Sequence, residues 1–145
     1  MLNLQFPELD FSIRKINEQP QIFDPIRKSW VKLTPEEWVR QHIIVMMMQT
    51  LKYPHTYFSI EKEIMVGSLK KRFDLLIYDA AHNPWMLIEC KASAVSLSES
   101  TASQLLRYQQ VLQARHLVIT NGKDVMGWSY VDQQISPMLN WPEWR

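Results

Sequence analysis

A chain of 145 residues, 46% of them hydrophobic, can bury one core but is too short for two ordinary domains. Sixteen Lys and Arg against fifteen Asp and Glu leave a formal charge of +1, which excludes a global basic field that would drive non-specific nucleic-acid binding; any such contact must rest on local patches. A single cysteine, Cys90, excludes an internal disulfide framework, no apolar run approaches a membrane-spanning length, and no GxxxxGK[ST] loop is present to bind ATP, so a cytoplasmic protein without a motor of its own is expected.

Residues 1–33 scatter apolar side chains among prolines and basic residues with no sustained period, and read as an N-terminal arm with one short strand pair packed on the body. A helix is expected to start at Thr34-Pro35-Glu36-Glu37: Thr34 can cap, Pro35 suits the first helical position and Glu37 completes a capping box. Val39, Ile43, Met46, Met47 and Thr50 follow at helical spacing and give it one buried face. Tyr57 to Val66 alternates as a strand, Gly67-Ser68 is a two-residue hairpin turn with glycine first, and the returning strand runs from Leu69 to Tyr78. A looser turn over residues 79–84 leads into Trp85 to Lys91, an apolar run typical of a central strand. Ser96 or Ser98 caps a second helix reaching about Gln113, Leu117 to Thr120 is a short buried strand, and after Asn121-Gly122 a last strand spans Val125 to Val131. A helix between two buried strands implies a parallel crossover, so the fold class is α/β with a mixed central sheet flanked by helices. Within that single domain the arm covers 1–33, the core 34–136, and a tail carrying Trp141 and Trp144 covers 137–145, docked on the surface or on a partner.

Hairpins symmetric about their turns place Glu61 opposite Asp74 and Asp74 opposite Glu89. Directly opposed residues share a face with Cβ atoms roughly 4.5–5.5 Å apart, and Lys91, two residues beyond Glu89, shares that face. Like charges at such separation repel by about 4 kcal/mol per pair at 4 Å and an effective dielectric near 20, so the row needs an offset. Mg²⁺ supplies one naturally, since it takes oxygen from one or two carboxylates and keeps several waters; Mn²⁺ is the expected substitute. Asp74 and Glu89 are therefore the candidate metal ligands, and Lys91 is the candidate to orient or deprotonate a water or to stabilise developing charge. Glu-x-Lys alone is a weak signal. Here it closes a strongly apolar strand, its partner aspartate lies in register across a hairpin, and a helix bearing Gln104 follows.

The stretches Lys70-Lys71-Arg72-Phe73-Asp74, Ile88-Glu89-Cys90-Lys91-Ala92, Gln104-Leu105-Leu106-Arg107-Tyr108 and Thr120-Asn121-Gly122 together resemble the N-terminal nuclease domain of type I restriction enzyme R subunits, in its small stand-alone bacterial form, within the PD-(D/E)xK nuclease superfamily. The resemblance spans about residues 27–130. It implies a restriction-endonuclease-like αβββαβ core, Mg²⁺ dependence and cleavage of DNA. It also implies Asp74, Glu89 and the backbone carbonyl of Cys90 as metal ligands, Lys91 as catalytic lysine, and Gln104 with Tyr108 as helix residues approaching the site or the DNA backbone. Full R subunits carry helicase-like motor domains after the nuclease. None is present up to Arg145, so a separate motor or tethering protein, or a homodimer, is the expected partner besides DNA.

Several residues carry two readings. Glu37 is explained by helix capping, yet related nucleases use a first-helix glutamate near the metal; Glu61 is either a site member or the partner of Lys70 or Arg72. Lys70, Lys71 and Arg72 beside Asp74, with Arg107 on the second helix, are candidates for phosphate contact. His42, His55, His82 and His116 have no ligand spacing and point away from a zinc site. The alternative to a nuclease is a catalytically weak or inactive module of the same fold that binds nucleic acid or a protein partner.

Overall fold

The computed structural model describes residues 2–145, with the side chain of Gln110 left aside. The elements run β1 (Ile13–Ile16), β2 (Gln19–Asp24), β3 (Ser29–Lys32), α1 (Pro35–Val45), β4 (Phe58–Val66), β5 (Leu69–Tyr78), β6 (Pro84–Cys90), α2 (Glu99–Leu112), β7 (His116–Thr120), β8 (Val125–Val131) and β9 (Gln134–Pro137). The helix, three strands, helix, strand order expected from the sequence is present. Six strands form one mixed sheet in chain order from β4 to β9, antiparallel throughout except where β6 and β7 run parallel across the α2 crossover. No helix among the described residues is long and apolar enough to cross a membrane.

Two apolar layers sandwich this sheet. On one face Val39, Ile43 and Ile44 of α1 pack with Leu75, Ile77, Met86, Ile88, Cys90 and Val118; on the other Leu105 and Leu112 of α2 pack with Phe73, Leu76, Leu87, Leu117 and Ile119. Strands β6 and β7 are covered on both sides, which is why their sequences read as continuous apolar runs rather than alternating ones.

Several boundaries depart from expectation. The N-terminal segment is not an arm with one strand pair but a separate three-stranded antiparallel sheet, β1-β2-β3. Its first turn uses Asn17 and Glu18, both at positive φ, and its second is tied by Asp24, whose Oδ1 accepts from the backbone of Ile26 and Arg27. Neither turn holds a glycine; Asn17 and Asp24-Pro25 are the turn residues present. Helix α1 stops at Val45 rather than Thr50, and Met46–Thr50 forms one π-type turn. Thr34 caps α1 as expected, its Oγ1 accepting from Glu37 N at 3.0 Å, but the Glu37 carboxylate turns to Arg27 and Arg40 instead of closing the capping box. Ser98, not Ser96, caps α2. After β8, Asp132 and Gln133 at positive φ return the chain as β9, so residue 137 belongs to a strand. The tail does dock on the body: Trp141 donates to Asn3 O, Trp144 to Tyr78 O, and Tyr53 OH to Pro142 O.

Candidate active site

The Gly67-Ser68 turn pins the β4–β5 register. Ile60 pairs with Leu75 and Lys62 with Phe73, which sets Glu61 across from Asp74; likewise Leu75 pairs with Ile88, which sets Asp74 across from Glu89. Neither carboxylate pair is a regular ladder pair, however. Glu61 has φ 56°, and on both strands the side chains change face at this level. Phe58, Ile60, Leu75 and Ile77 pack on the α1 side, while Ile64 and Phe73, an even number of residues away along the same strands, pack on the α2 side. Period-two alternation alone forbids that, so the ribbon twists sharply at Glu61 and Asp74.

At the twist the β5–β6 backbone ladder gives way to side chains. Asp74 Oδ2 accepts from Cys90 N at 2.8 Å, and Asp74 N points to Glu89 Oε1 at 3.5 Å. Burial and the neighbouring Asp74 carboxylate push the Glu89 carboxyl up to about 8, against smaller opposing pulls from the Asp74 backbone N–H and from Lys91. Glu89 and Lys91, on the same side of the sheet, line a cavity of about 110 Å³ with Lys71, Arg72, Phe73, Gln104, Leu105 and Tyr108. Gln104 Nε2 donates to Tyr108 OH at 3.2 Å, and Lys71 Nζ lies 4.9 Å from the Tyr108 ring centre. Burial alone would raise the Tyr108 phenol, but its bonds to Lys71 and Gln104 outweigh that and lower it. Burial pushes the Cys90 thiol well up, so its sulfur is a poor metal ligand and the backbone carbonyl is the donor it could offer.

Glu37 and Glu61 stand apart from this cavity. They belong to a cluster in which Arg40 Nε pairs with Glu37 at 2.6 Å and Arg40 Nη2 with Glu61 at 3.3 Å, while Arg27 pairs with Asp24, Glu37 and Glu61. Burial by itself would raise the Glu37 carboxyl, yet the guanidiniums of Arg40 and Arg27 hold it below its ordinary value. Arg40 also reaches Asp74, 3.6 Å from Oδ1. Arg40 thus supplies part of the positive charge that the acidic row needs, at Glu61 and Asp74, while Glu89 makes no ion pair among the described residues. Glu61 does not pair with Lys70 or Arg72 either; both of those reach Glu63. Arg107 is exposed on α2, outside the cavity lining, and Lys70 lies farther out on the hairpin. Sequence reasoning missed Arg27, Arg40 and Asp24. Only Glu37 and Arg40, three apart on one helix, left a local trace.

No group of three or more His, Cys, Asp or Glu that could hold a metal occurs among the described residues. Asp74 and Glu89 form a pair of carboxylates at this level of the sheet, and a pair of that kind suits a hard cation that retains water.

The profile described as type I restriction enzyme R protein N terminus (HSDR_N) matches residues 35–142. A solved fragment of a putative HsdR subunit of a type I restriction enzyme from Vibrio vulnificus YJ016 is similar at 18% identity and a TM-score of 0.43, covering 59% of this chain. The chain spans 18% of the length of that solved chain. No curated protein matches.

Proposed function

The chain belongs to the family of type I restriction enzyme R protein N termini, and on that premise we propose that it is a metal-dependent nuclease hydrolysing DNA phosphodiester bonds by PD-(D/E)xK chemistry. The observation that carries the reading is Glu89: a carboxyl raised to about 8 by burial and by Asp74, in a cavity that also holds the Lys91 side chain. Perturbed carboxyls of this kind mark sites whose missing charge partner comes with substrate or cofactor.

Asp74, Glu89 and the Cys90 carbonyl would hold Mg²⁺, or Mn²⁺ in its place. Once bound, the cation polarises a phosphoryl oxygen and makes an attacking water more acidic. The protein's own side chains do the remainder. The Lys91 ammonium donates to the developing negative charge or orients the water. Lys71 and Arg72, at the cavity rim, neutralise flanking phosphates and so fix the strand without reading its sequence. Gln104 and Tyr108, bonded to each other on one face of α2, close the cavity opposite β6 and offer an amide and a phenol to the backbone of the substrate.

A second reading, an inactive binding module of this fold, is favoured by one observation: Arg40 already lies against Asp74 and partly satisfies it without a cation. Two measurements separate them. Cleavage of single-stranded, duplex and branched DNA with Mg²⁺ and with Mn²⁺ is expected for the native protein and lost in Lys91→Ala. Isothermal titration is expected to show Mg²⁺ or Mn²⁺ binding that Glu89→Gln abolishes; no heat and no product would leave the binding module.

A further inference from the structure

Apart from Lys71 and Arg72 at the cavity rim, the outer part of the β4–β5 hairpin has no place in the chemistry above. The β5–β6 ladder ends at Leu75 and Ile88, and β4 is the edge of the sheet, so from Lys62 to Phe73 the two strands pair only with each other. The twist at Glu61 and Asp74 turns this ribbon relative to the rest of the sheet. From its base to its tip it extends five residues per strand, about 17 Å at roughly 3.3 Å per residue.

Its composition is unlike the remainder of the chain. Lys62, Lys70, Lys71 and Arg72 against Glu63 give it +3, and subtracting that from the chain's +1 leaves −2 on everything else. Opposed residues share a face, so Lys62 and Lys71 lie on one side of the ribbon and Lys70 and Arg72 on the other. At the tip, beside Gly67, Met65 and Leu69 are 53% and 67% exposed, two large apolar side chains left in water side by side with the turn.

We propose that this ribbon, residues 62–73, enters the major groove of duplex DNA and carries the duplex to the adjoining cavity. The proposal rests on the nuclease reading for its substrate class. A two-stranded ribbon fits a groove about 12 Å wide and 8.5 Å deep, and a reach of about 17 Å is ample for it. The groove has a phosphate wall on each side, which matches cations on both faces of the ribbon. The floor presents thymine methyl groups and base edges to an apolar tip. Lys71 and Arg72 lie both in the ribbon and at the cavity rim, so a duplex held by one is delivered to the other.

Binding of fluorescent duplex and single-stranded oligonucleotides, with Ca²⁺ present to support binding without cleavage, tests it across a salt series. The double variant Lys62→Ala/Lys70→Ala should weaken duplex binding at least tenfold at low salt and flatten the slope of log K against log salt by about 1.8, since each phosphate contact contributes about 0.9. The tip variant Met65→Ser/Leu69→Ser should weaken duplex binding several-fold with the slope unchanged, and leave single-strand binding as it was. A tip variant that binds duplex like the native protein, while the native protein cleaves duplex, overturns the ribbon and leaves the nuclease reading standing. Tip-dependent duplex binding without any cleavage overturns the nuclease reading and leaves the ribbon. No duplex binding by the native protein overturns the ribbon whatever the cleavage assay shows. Equal losses for duplex and single strand overturn groove insertion in favour of plain phosphate attraction.

Discussion

Two groups of carboxylates lie on either side of the twist in β5 and meet opposite surroundings. In the first, Asp24, Glu37 and Glu61 share the guanidiniums of Arg27 and Arg40, and the Glu37 carboxyl is held low although it is almost wholly buried. In the second, burial and the neighbouring Asp74 carboxylate drive the Glu89 carboxyl up to about 8. Burial acts on both; what differs is which charges the fold places alongside. Buried carboxylates that the fold itself neutralises serve architecture, here the joining of the small β1-β2-β3 sheet to α1 and β4. A carboxyl left to hold its proton awaits a charge from outside. Under the proposed function the comparison sets Glu37 and Glu61 on the structural side and Glu89 on the chemical side, with Asp74 touching both groups.

The largest effect that sharpens this division is on rate. Lys91→Ala is expected to lower DNA cleavage by about 10²–10⁴-fold, the range for a lost acid–base or charge-stabilising group, with an unchanged circular dichroism spectrum and melting temperature; cleavage within threefold of native would remove Lys91 from the chemistry. Next comes stability. Arg40→Ala leaves the buried Glu37 carboxylate without the guanidinium that bonds both of its oxygens and should cost about 3–5 kcal/mol in urea unfolding. A loss below 1 kcal/mol would mean that Arg27 alone can neutralise the cluster, and the contrast with Glu89 would shrink to one of degree.

Much of this arrangement was legible in the sequence, for a definite reason. A two-residue turn fixes the register of both strands it joins, so Gly67-Ser68 was enough to set Glu61 across from Asp74, and only Gly67 of that pair takes a positive φ. Apolar runs bounded by turns announced β6 and β7, and the capping residue announced α1. Other features rest on what no local pattern encodes. The left-handed backbone at Glu61, a residue with no intrinsic preference for it, reversed the faces of the ribbon beyond and turned an expected acidic row into two separate groups. Arg27 and Arg40 meet Glu61 across 34 and 21 residues of chain, and such pairings leave no periodic trace. The turns at Asn17-Glu18 and Asp132-Gln133 also take positive φ without glycine, which hid the third N-terminal hairpin strand and β9.

The pH dependence of stability separates the two groups more finely. Glu89 has a folded value near 8 against an ordinary 4.5, so the folded state holds its proton more tightly than the unfolded chain does. Its favourable contribution is complete below about 4.5, declines as pH rises, and is gone above about 8. At about 1.4 kcal/mol per pKa unit the metal-free protein should lose a few kcal/mol between pH 5 and pH 9. Glu89→Gln should remove that loss, and Mg²⁺ should restore stability at pH 9 in the native protein but not in the variant. A native curve that is flat over this window in urea titrations would place Glu89 among the neutralised carboxylates.

The smallest effect tests the boundary itself. Glu61 is the outermost member of the arginine cluster, 40% exposed and paired at 3.3 and 3.7 Å. Water screens such pairs, so Glu61→Gln should change unfolding free energy by less than about 1 kcal/mol, well short of the Arg40→Ala loss. Its informative readout is Mg²⁺ affinity. Its carboxylate is directed at Arg27 and Arg40, so the variant should bind the ion within twofold of the native protein in isothermal titration. A tenfold weakening would mean that the arginines release Glu61 when the cation arrives. The two groups would then be one site in two states, with Arg40 the counter-ion that the metal displaces.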